Sequence, residues 1–549
     1  MKLLANSRIN SFMTFKILIT DDIYTSGPEV LRAESDVQVD VEYGLSATAL
    51  SERAAQYDAI ITRSGTALSA DFFAAAAGHL KVAARAGVGL ENVDVQAATR
   101  AGVMVMNIPE ANAVAAAEMA LALMLALCRN VAQSNAVLRA GKWERLPFMG
   151  VHLEGKTLGI VGLGRVGRLV AARAHAFGMR LVAFDPYVSD DIANDLDVEL
   201  VEQLEDLLAQ ADFVSLHCQL TDETRGMIAV EQLAHMKPGA RLINAARGGL
   251  VDESALLDAL KAGRLAGAGL DVYQTEPPTG ASAALLQLPN VVATPHLGAS
   301  TYEAQHDVSI RIVRQVLDAL RGTGYHNVVN LPFSNDDEYA GLAPFLLLAE
   351  KIGSLQMQLM DSKEFPADGM QVQVDYRGEE LKNHAKPLAV ALLKGLLTPL
   401  LGDGVNYVNA PYLANERGVR VHQAMFGGLD EYANVLVCQV TAGSEKRIVA
   451  GTLLTRSQPR IVRLDGIPMD VLPKGFMLVT KSHDIPGVIA QVSSLLGKSN
   501  LNIAEYRLGR EKPGGTAFSF INLDSEAPES VLVALRGLPP MIEVKQVCL

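Results

Sequence analysis

The stretch KTLGIVGLGRVGRLVAARAHAFGMRLVAFD (residues 156–185) leaves this chain few ways to fold. Its first apolar run, TLGIV, lacks polar alternation and so needs cover on both faces, as strands inside a parallel sheet have. Glycines follow at 162, 164 and 167 in GxGxxG spacing, then a helical pattern, then a second apolar run ending at Asp185. GxGxxG alone is a weak signal, but after a strand, before a helix and with a terminal acid it is a dinucleotide-binding fingerprint. Gly162 permits the tight turn, Gly164 lets backbone approach a pyrophosphate, and Gly167 lets the helix pack on the strand. The helix N-terminus offers unpaired N–H groups to the phosphates. Asp185 can accept both ribose hydroxyls and would repel a 2′-phosphate, so NAD is expected rather than NADP.

The same alternation runs through the first 300 residues. FKILIT (15–20), YDAIITRSGT (57–66) and LKVAARAGVGLENVD (80–94) read as strands, with helical stretches such as SATALSERAAQ (46–56) between them. GVGLEN (87–92) repeats the first two glycines but has Asn92 at the third position and no acid-ended strand after it. It is read as a substrate-side anion turn. A helical region from about 115 to 140 follows. Its apolar core MALALMLALC (119–128) is shorter than the roughly 20 residues a membrane span needs, so a buried helix is expected. DFVSLH, ARLINA, AGLDV and VVAT then extend a second doubly wound unit. Beyond residue 334 the texture changes to an amphipathic helix (PLAVALLKGLLTPLLG, 387–402) and alternating strands (NVLVCQVTAG, 434–443). A last module starts near 475.

Length and charge narrow the function classes. A chain of 549 residues exceeds one core, so roughly two to four domains are expected. A net charge of −13 disfavours nucleic acid or an anionic membrane as bulk partner. Cys128, Cys218, Cys438 and Cys548 have no paired spacing, so neither a metal site nor a disulfide framework is expected. Residues 1–14 lack a signal-peptide core and read as a loose extension, which makes a cytoplasmic location the expectation.

Three polar residues sit just past predicted strand ends: Arg247 after LINAA, Glu276 in LDVYQTEPP, and His296 in VVATPHLGAS. Ligands of open parallel sheets bind beyond the carboxyl ends of the strands, which places all three beside a nicotinamide. An alcohol oxidised by hydride loss must also lose its hydroxyl proton, and His296 can take it. Glu276 can hold the imidazole and stabilise the imidazolium that forms. Arg247 can grip a carboxylate and polarise the adjacent oxygen. Gly298 and Ala299 are small enough to leave room for the nicotinamide.

GLGRVG, INAARGGLVDESAL, LDVYQTEPP and TPHLGASTYEAQ together resemble the D-isomer-specific 2-hydroxyacid dehydrogenases, most closely their phosphoglycerate-oxidising branch in its long form. The resemblance covers the chain from about residue 15 onward and implies NAD-dependent oxidation of 3-phospho-D-glycerate, the entry to L-serine synthesis. Its catalytic Arg, Glu and His fall on Arg247, Glu276 and His296. Its cofactor contacts fall on Arg165, Val166, Asp185, Cys218, Ala245 to Arg247, Asp271, and His296 to Ala299. Its substrate contacts fall on Arg63, Ser64, Arg85, Gly87 and Val88, where relatives often carry Thr in place of Val88. The implied fold is α/β. A Rossmann-type cofactor domain (116–296) is inserted in a discontinuous flavodoxin-like substrate domain (15–115 and 297–330), with a cleft that closes on ligand. An α+β intervening domain (331–474) follows, then an ACT regulatory domain (475–549) of ββαββα type. Asp484 and Asn502 occupy positions that bind L-serine in regulated relatives, while Ser482 stands where those carry Tyr or His. Serine control and a purely oligomer-building module both remain open on that pattern. A homo-oligomer, expected as a tetramer, is implied in either case. The rival readings are a glyoxylate or hydroxypyruvate reductase, which usually lacks both C-terminal domains, and an NAD-sensing scaffold like the C-terminal-binding corepressors.

Overall fold

The computed structural model describes residues 14–109, 112–333, 336–361, 365, 369–427, 432–455 and 457–549, so all but the last residue of the expected extension lies outside it. The chain forms two bodies. One holds the chain up to Asp22, Pro28–Asn107 and Ile312–Leu549; the other holds Ile23–Gly27 and Ile108–Arg311.

The first body opens with β1 (Phe15–Ile19), β2 (Val37–Val41), β3 (Ala59–Thr62), β4 (Val82–Arg85) and β5 (Met104–Met106). They form one parallel sheet in the order β2-β1-β3-β4-β5, the flavodoxin-like order. Ser46, Ser69 and Asp94 cap the helices that follow the turns, each accepting from a backbone N–H three residues on. The β5 edge is closed by residues that arrive much later in the chain. Val329 N donates to Val105 O at 2.9 Å, and the Asn330 side chain bonds Val105 N and Val103 O at 2.9 Å each. The chain therefore leaves this sheet, builds another and returns, as an inserted domain requires.

The second body is that insertion. Its strands are β6 (Thr157–Val161), β7 (Arg180–Phe184), β8 (Glu199–Leu200), β9 (Phe213–Leu216), β10 (Arg241–Asn244), β11 (Gly267–Leu270) and β12 (Val291–Ala293). All are parallel, in the order β12-β11-β10-β9-β6-β7-β8, which is the Rossmann order with a seventh strand. The helical region expected from 115 to 140 is two helices, Ala113–Cys128 and Val131–Arg139, bent by 62°. Asn130 breaks it, with φ 53 in the left-handed region that helices do not continue through. The first helix is buried as expected. It lies directly on the sheet because β11 presents Gly267 and Gly269; a Cβ there would stand 2.8 Å from Leu127 and 3.0 Å from Leu123.

Back in the first body, six strands form a mixed sheet: β13 (Met370–Arg377), β14 (Val419–Phe426), β15 (Val435–Ala442), β16 (Glu445–Leu454), β17 (Gln458–Leu464) and β18 (Ile467–Val471). The order is β14-β13-β15-β16-β17-β18, parallel only between β13 and β14. The alternation in MQVQVDYR buries Met370, Val372, Val374 and Tyr376 under two crossing helices, Asp336–Leu359 and Ala385–Leu401. The helix expected to be amphipathic is instead buried nearly all round. Gly353 and Gly395 let it sit against its neighbour, since a Cβ on either would come within 2.1 Å of a carbonyl oxygen on the other helix. Its Lys394 pairs with Glu350 at 2.9 Å. The segment Ala385–Gly404 is long and apolar enough to cross a membrane, and most of it is enclosed by protein.

The last module has β19 (Phe476–His483), β20 (Ile503–Arg510), β21 (Thr516–Leu523) and β22 (Met541–Cys548) in an antiparallel sheet ordered β20-β21-β19-β22. Helices Val488–Lys498 and Glu529–Arg536 make the element order βαββαβ, which corrects the expected ββαββα. β19 is central, paired with β21 and β22, so the chain must cross over through a helix before β20 can form the edge. Leu478, Ile521 and Val544 face the helices, while Met477, Val479, Phe518, Phe520 and Val547 join the core of the six-stranded sheet.

Candidate active site

The three fingerprint glycines divide their work as their positions require. Gly162 has φ 94, and a Cβ there would lie 2.8 Å from Cys218 N. A Cβ on Gly167 would meet Gly162 O at 2.1 Å, so the helix Arg165–Ala176 could not lie this close to its strand with any other residue. A Cβ on Gly164 would meet nothing within 4 Å. That glycine faces open space at the helix N-terminus, where backbone N–H groups and the helix dipole favour a phosphate. The turn stands where the strand order reverses, between β6 and β9, the ligand-binding position of such sheets. Asp185 is oriented by its own loop: Oδ2 accepts from Leu163 N at 2.8 Å and Oδ1 from Tyr187 N at 3.0 Å. Each oxygen keeps a lone pair for a ribose hydroxyl. These residues fit a dinucleotide.

Beside the turn lies a pair that sequence reasoning only half saw. Burial pushes the Cys218 thiol up to about 11, and with it the thiol stays protonated. Burial pushes the neighbouring His217 imidazole down to about 4, so it is neutral, with Nε2 2.8 Å from Ser215 Oγ. His217 ends an apolar strand as His296 does, and only its surroundings separate the two.

Arg247, Glu276 and His296 follow β10, β11 and β12, three neighbouring parallel strands, and so share one edge of the sheet. The His296 Nδ1 lies 2.8 Å from Glu276 Oε2, and both side chains are between a third and a half exposed. Glu276 Oε1 accepts from Tyr273 N at 3.1 Å. Arg247 Nη1 donates to Ala246 O at 2.7 Å, while Asn244 ties the loop through Arg247 O at 2.9 Å. The loops interlock: a Cβ on Gly248 would overlap the Tyr273 carbonyl, and the Tyr273 hydroxyl donates to Thr294 O at 2.9 Å. Burial, then the charges of Asp271, Glu276 and Glu253, push that phenol up to about 12.

Two residues expected to touch the cofactor also brace the loop that carries His296. Asp271 is fully buried; its carboxylate accepts from Leu297 N and Gly298 N at 2.7 Å each and from the Thr294 hydroxyl, and its carbonyl accepts from His296 N at 2.9 Å. These bonds hold His296 at φ 54, a left-handed conformation that a histidine keeps only when its surroundings over-determine it. Gly298 is likewise buried, and a Cβ there would come 3.1 Å from Asp271 Oδ2. Its small size serves the buried carboxylate. Ala245 and Ala299 stay half-buried at the same sheet edge.

In the first body, the register sets Thr62 opposite Arg85, so Arg63 and Arg85 leave the same edge of adjacent strands. Asp21, which sequence reasoning missed, organises the turn that carries Arg63 and Ser64. Its Oδ2 accepts from Arg63 N at 2.6 Å, Thr62 Oγ1 at 2.8 Å and Thr66 N at 3.1 Å, and a Cβ on Gly65 would crowd its Oδ1. Asp21 lies two residues past the end of β1 in ITDD, and the strand-end rule that picked out Arg247 would have found it. Asn92, at the third glycine position of GVGLEN, donates to Arg63 O at 2.6 Å and to Thr66 O, and so joins the two turns. Val88 O accepts from Asn107 Nδ2 at 2.6 Å, and the Arg85 guanidinium lies against Gly87.

Asp484 and Asn502 do not come together within one chain. Asp484 follows the end of β19 opposite Thr516, and Asn502 precedes β20 at the Leu523 end, so the length of the sheet, about 20 Å, separates them. Asp484 Oδ2 bonds Arg510 Nη1 and Gly514 N at 3.1 Å, and Asn502 donates to Asp524 at 2.6 Å. Ser482 is buried. Among the described residues no cluster of His, Cys, Asp or Glu has metal-binding geometry.

Residues 121–298 match the family of the D-isomer specific 2-hydroxyacid dehydrogenase NAD binding domain, and residues 341–465 match the D-3-phosphoglycerate dehydrogenase intervening domain. The D-3-phosphoglycerate dehydrogenase of Methanocaldococcus jannaschii is 40% identical over 96% of this chain and 99% of its own length. The chain belongs to the D-3-phosphoglycerate dehydrogenase family. Other members include the Synechocystis enzyme, 41% identical over 95% of this chain and 92% of its own, and the Bacillus subtilis enzyme, 37% identical over 97% and 99%. Among solved structures, a Thermus thermophilus protein superposes with a TM-score of 0.53 at 37% identity, covering 57% of this chain and 99% of that one. The Aquifex aeolicus D-lactate dehydrogenase, complexed with NAD and lactic acid, gives 0.51 at 26% identity, over 56% and 96%. Membership in a family with an NAD-binding domain agrees with the open face at Gly164 and the acid at Asp185.

Proposed function

We infer that this chain oxidises 3-phospho-D-glycerate to 3-phosphooxypyruvate with NAD, the first step of L-serine synthesis. The observation that carries the reading is the 2.8 Å contact between His296 Nδ1 and Glu276 Oε2 at the edge of an NAD-binding sheet. NAD, when bound, accepts the hydride from C2 of the hydroxy acid. His296 takes the hydroxyl proton at Nε2, because Nδ1 is committed to Glu276. Glu276 orients the ring and stabilises the imidazolium left when the C2–O bond becomes a carbonyl. Arg247 binds the substrate carboxylate and the forming carbonyl oxygen. Arg63 and Arg85, with Ser64 and the Gly87–Val88 backbone, take the phosphate. Gly164, Arg165 and Val166 face the pyrophosphate, Asp185 the ribose, Cys218 the dinucleotide beside the Gly162 turn, and Ala245 to Arg247 with Ala299 the nicotinamide side.

The family's division of the chain belongs to the same reading: residues 15–115 with 297–330 bind substrate, 116–296 bind NAD, and the C-terminal module from 475 acts as an ACT domain in a cytoplasmic tetramer. An L-serine site built from Asp484 and Asn502 needs two copies of the module, since one copy keeps them a sheet length apart. NADH formation measured with 3-phosphoglycerate, glycerate and lactate tests the reading; turnover confined to glycerate or lactate, or none at all, would overturn it. L-serine added to the same assay tests the effector site.

A further inference from the structure

Glu253 is 4% exposed, a degree of burial unusual for a glutamate. It opens the helix Glu253–Lys261, whose N-terminal end favours negative charge. Capping falls to Asp252, whose Oδ1 accepts from Ser254 N and Ala255 N at 3.0 and 3.1 Å, so the Glu253 side chain reaches elsewhere. Its Oε1 accepts from Gln274 N at 2.8 Å, and its Oε2 accepts from the Ser282 hydroxyl. The preceding N–H, that of Tyr273, is taken by Glu276 Oε1. Two consecutive backbone N–H groups therefore hold two carboxylates, one of which belongs to the proton-abstracting pair. The Gln274 side chain also donates to Val251 O at 2.8 Å, tying this turn to the loop that carries Arg247.

We propose that Glu253 is a positioning residue for the reaction: it fixes the Tyr273–Gln274 backbone so that Glu276, with one oxygen on that turn, presents the other to His296. It does so through reach, by spanning from its helix to Gln274 N. The proposal rests on His296 being the base. Charge alone does not explain the contact, because Asp252, one residue away, is also acidic and touches neither Gln274 nor Ser282.

Two variants separate reach from charge. Glu253→Gln keeps the length and an acceptor oxygen for Gln274 N. Glu253→Asp keeps the charge but is one methylene too short. The Asp variant is expected to lose kcat by on the order of 100-fold, the penalty of an ångström-scale misplacement, with the Kd for NADH within about twofold of wild type. The Gln variant is expected to stay within about fivefold in kcat. C2-deuterated 3-phosphoglycerate should show a larger isotope effect on kcat in the Asp variant, because the chemical step has become slower. A kcat loss with an unchanged isotope effect and a smaller NADH-binding fraction marks a merely structural residue and overturns the proposal. So does an Asp variant as fast as wild type. A wild-type protein inactive on 3-phosphoglycerate removes the reaction assignment itself, and this inference with it.

Discussion

Gly164 and Gly167 are three residues apart in one motif, yet the same change at each should break different things. On Gly167 a Cβ would sit 2.1 Å from Gly162 O, a backbone atom that cannot swing away. The helix Arg165–Ala176 must shift by about an ångström, and overpacking of that kind costs about 1–3 kcal/mol. For a domain of this size that lowers Tm by roughly 3–10 °C, and NAD affinity falls as the turn is displaced. On Gly164 a Cβ meets nothing within 4 Å, and φ is −72, which alanine adopts freely. Gly164→Ala should therefore keep the ligand-free Tm within about 2 °C, allowing for the small loss of a glycine N-cap. It should still weaken NADH by tenfold or more, about 1.4 kcal/mol, because the methyl occupies the space where backbone must meet the pyrophosphate. Differential scanning fluorimetry of the ligand-free variants and fluorescence titration with NADH read the two quantities separately. Wild-type affinity in Gly164→Ala, or a wild-type Tm in Gly167→Ala, would refute the division of labour drawn from the Cβ geometry.

Other perturbations follow the same logic. His296→Ala should remove at least 1,000-fold of turnover and leave the NADH Kd within twofold, measured by stopped-flow and titration. Arg63→Ala should raise the KM for 3-phosphoglycerate about tenfold or more without changing that for glycerate, since Asp21 holds the turn through Arg63 N and not through the guanidinium. His217 binds its proton near pH 4 when folded against 6.5 unfolded, so the unfolded chain gains the proton first as pH falls. Its contribution, about 3 kcal/mol, is present above pH 6.5 and lost progressively toward pH 4; Tm against pH should have a shallower acid slope in His217→Asn than in wild type. Iodoacetamide at pH 8 should label Cys548, which is exposed, long before Cys128, Cys218 or Cys438; burial pushes the last two thiols to about 11 and 12, and peptide mass spectrometry locates the label.

The sequence alone determined the parallel sheets, the dinucleotide turn, and the placement of Arg247, Glu276 and His296 just past neighbouring strand ends. These are local facts: glycine spacing, uninterrupted apolar runs and polar residues just past strand ends are written in neighbouring positions. What a buried polar group bonds to is not local. Asp271 and His296 are both polar residues just past apolar strands, and only the packing shows that one is sealed beneath the loop that presents the other. Glu253 reads as one more acid in the first turn of a helix until the fold brings Gln274, 21 residues away, onto its carboxylate. The helix over 387–402 reads as amphipathic in sequence, and tertiary structure buries most of it and sets Glu350 against its Lys394. Asp484 and Asn502 are 18 residues apart in sequence, and the strand order put them at opposite ends of one sheet. Local sequence selects the elements because propensity and periodicity act within a few residues; burial decides partners because it removes water as an alternative, and that competition is settled only when distant segments meet.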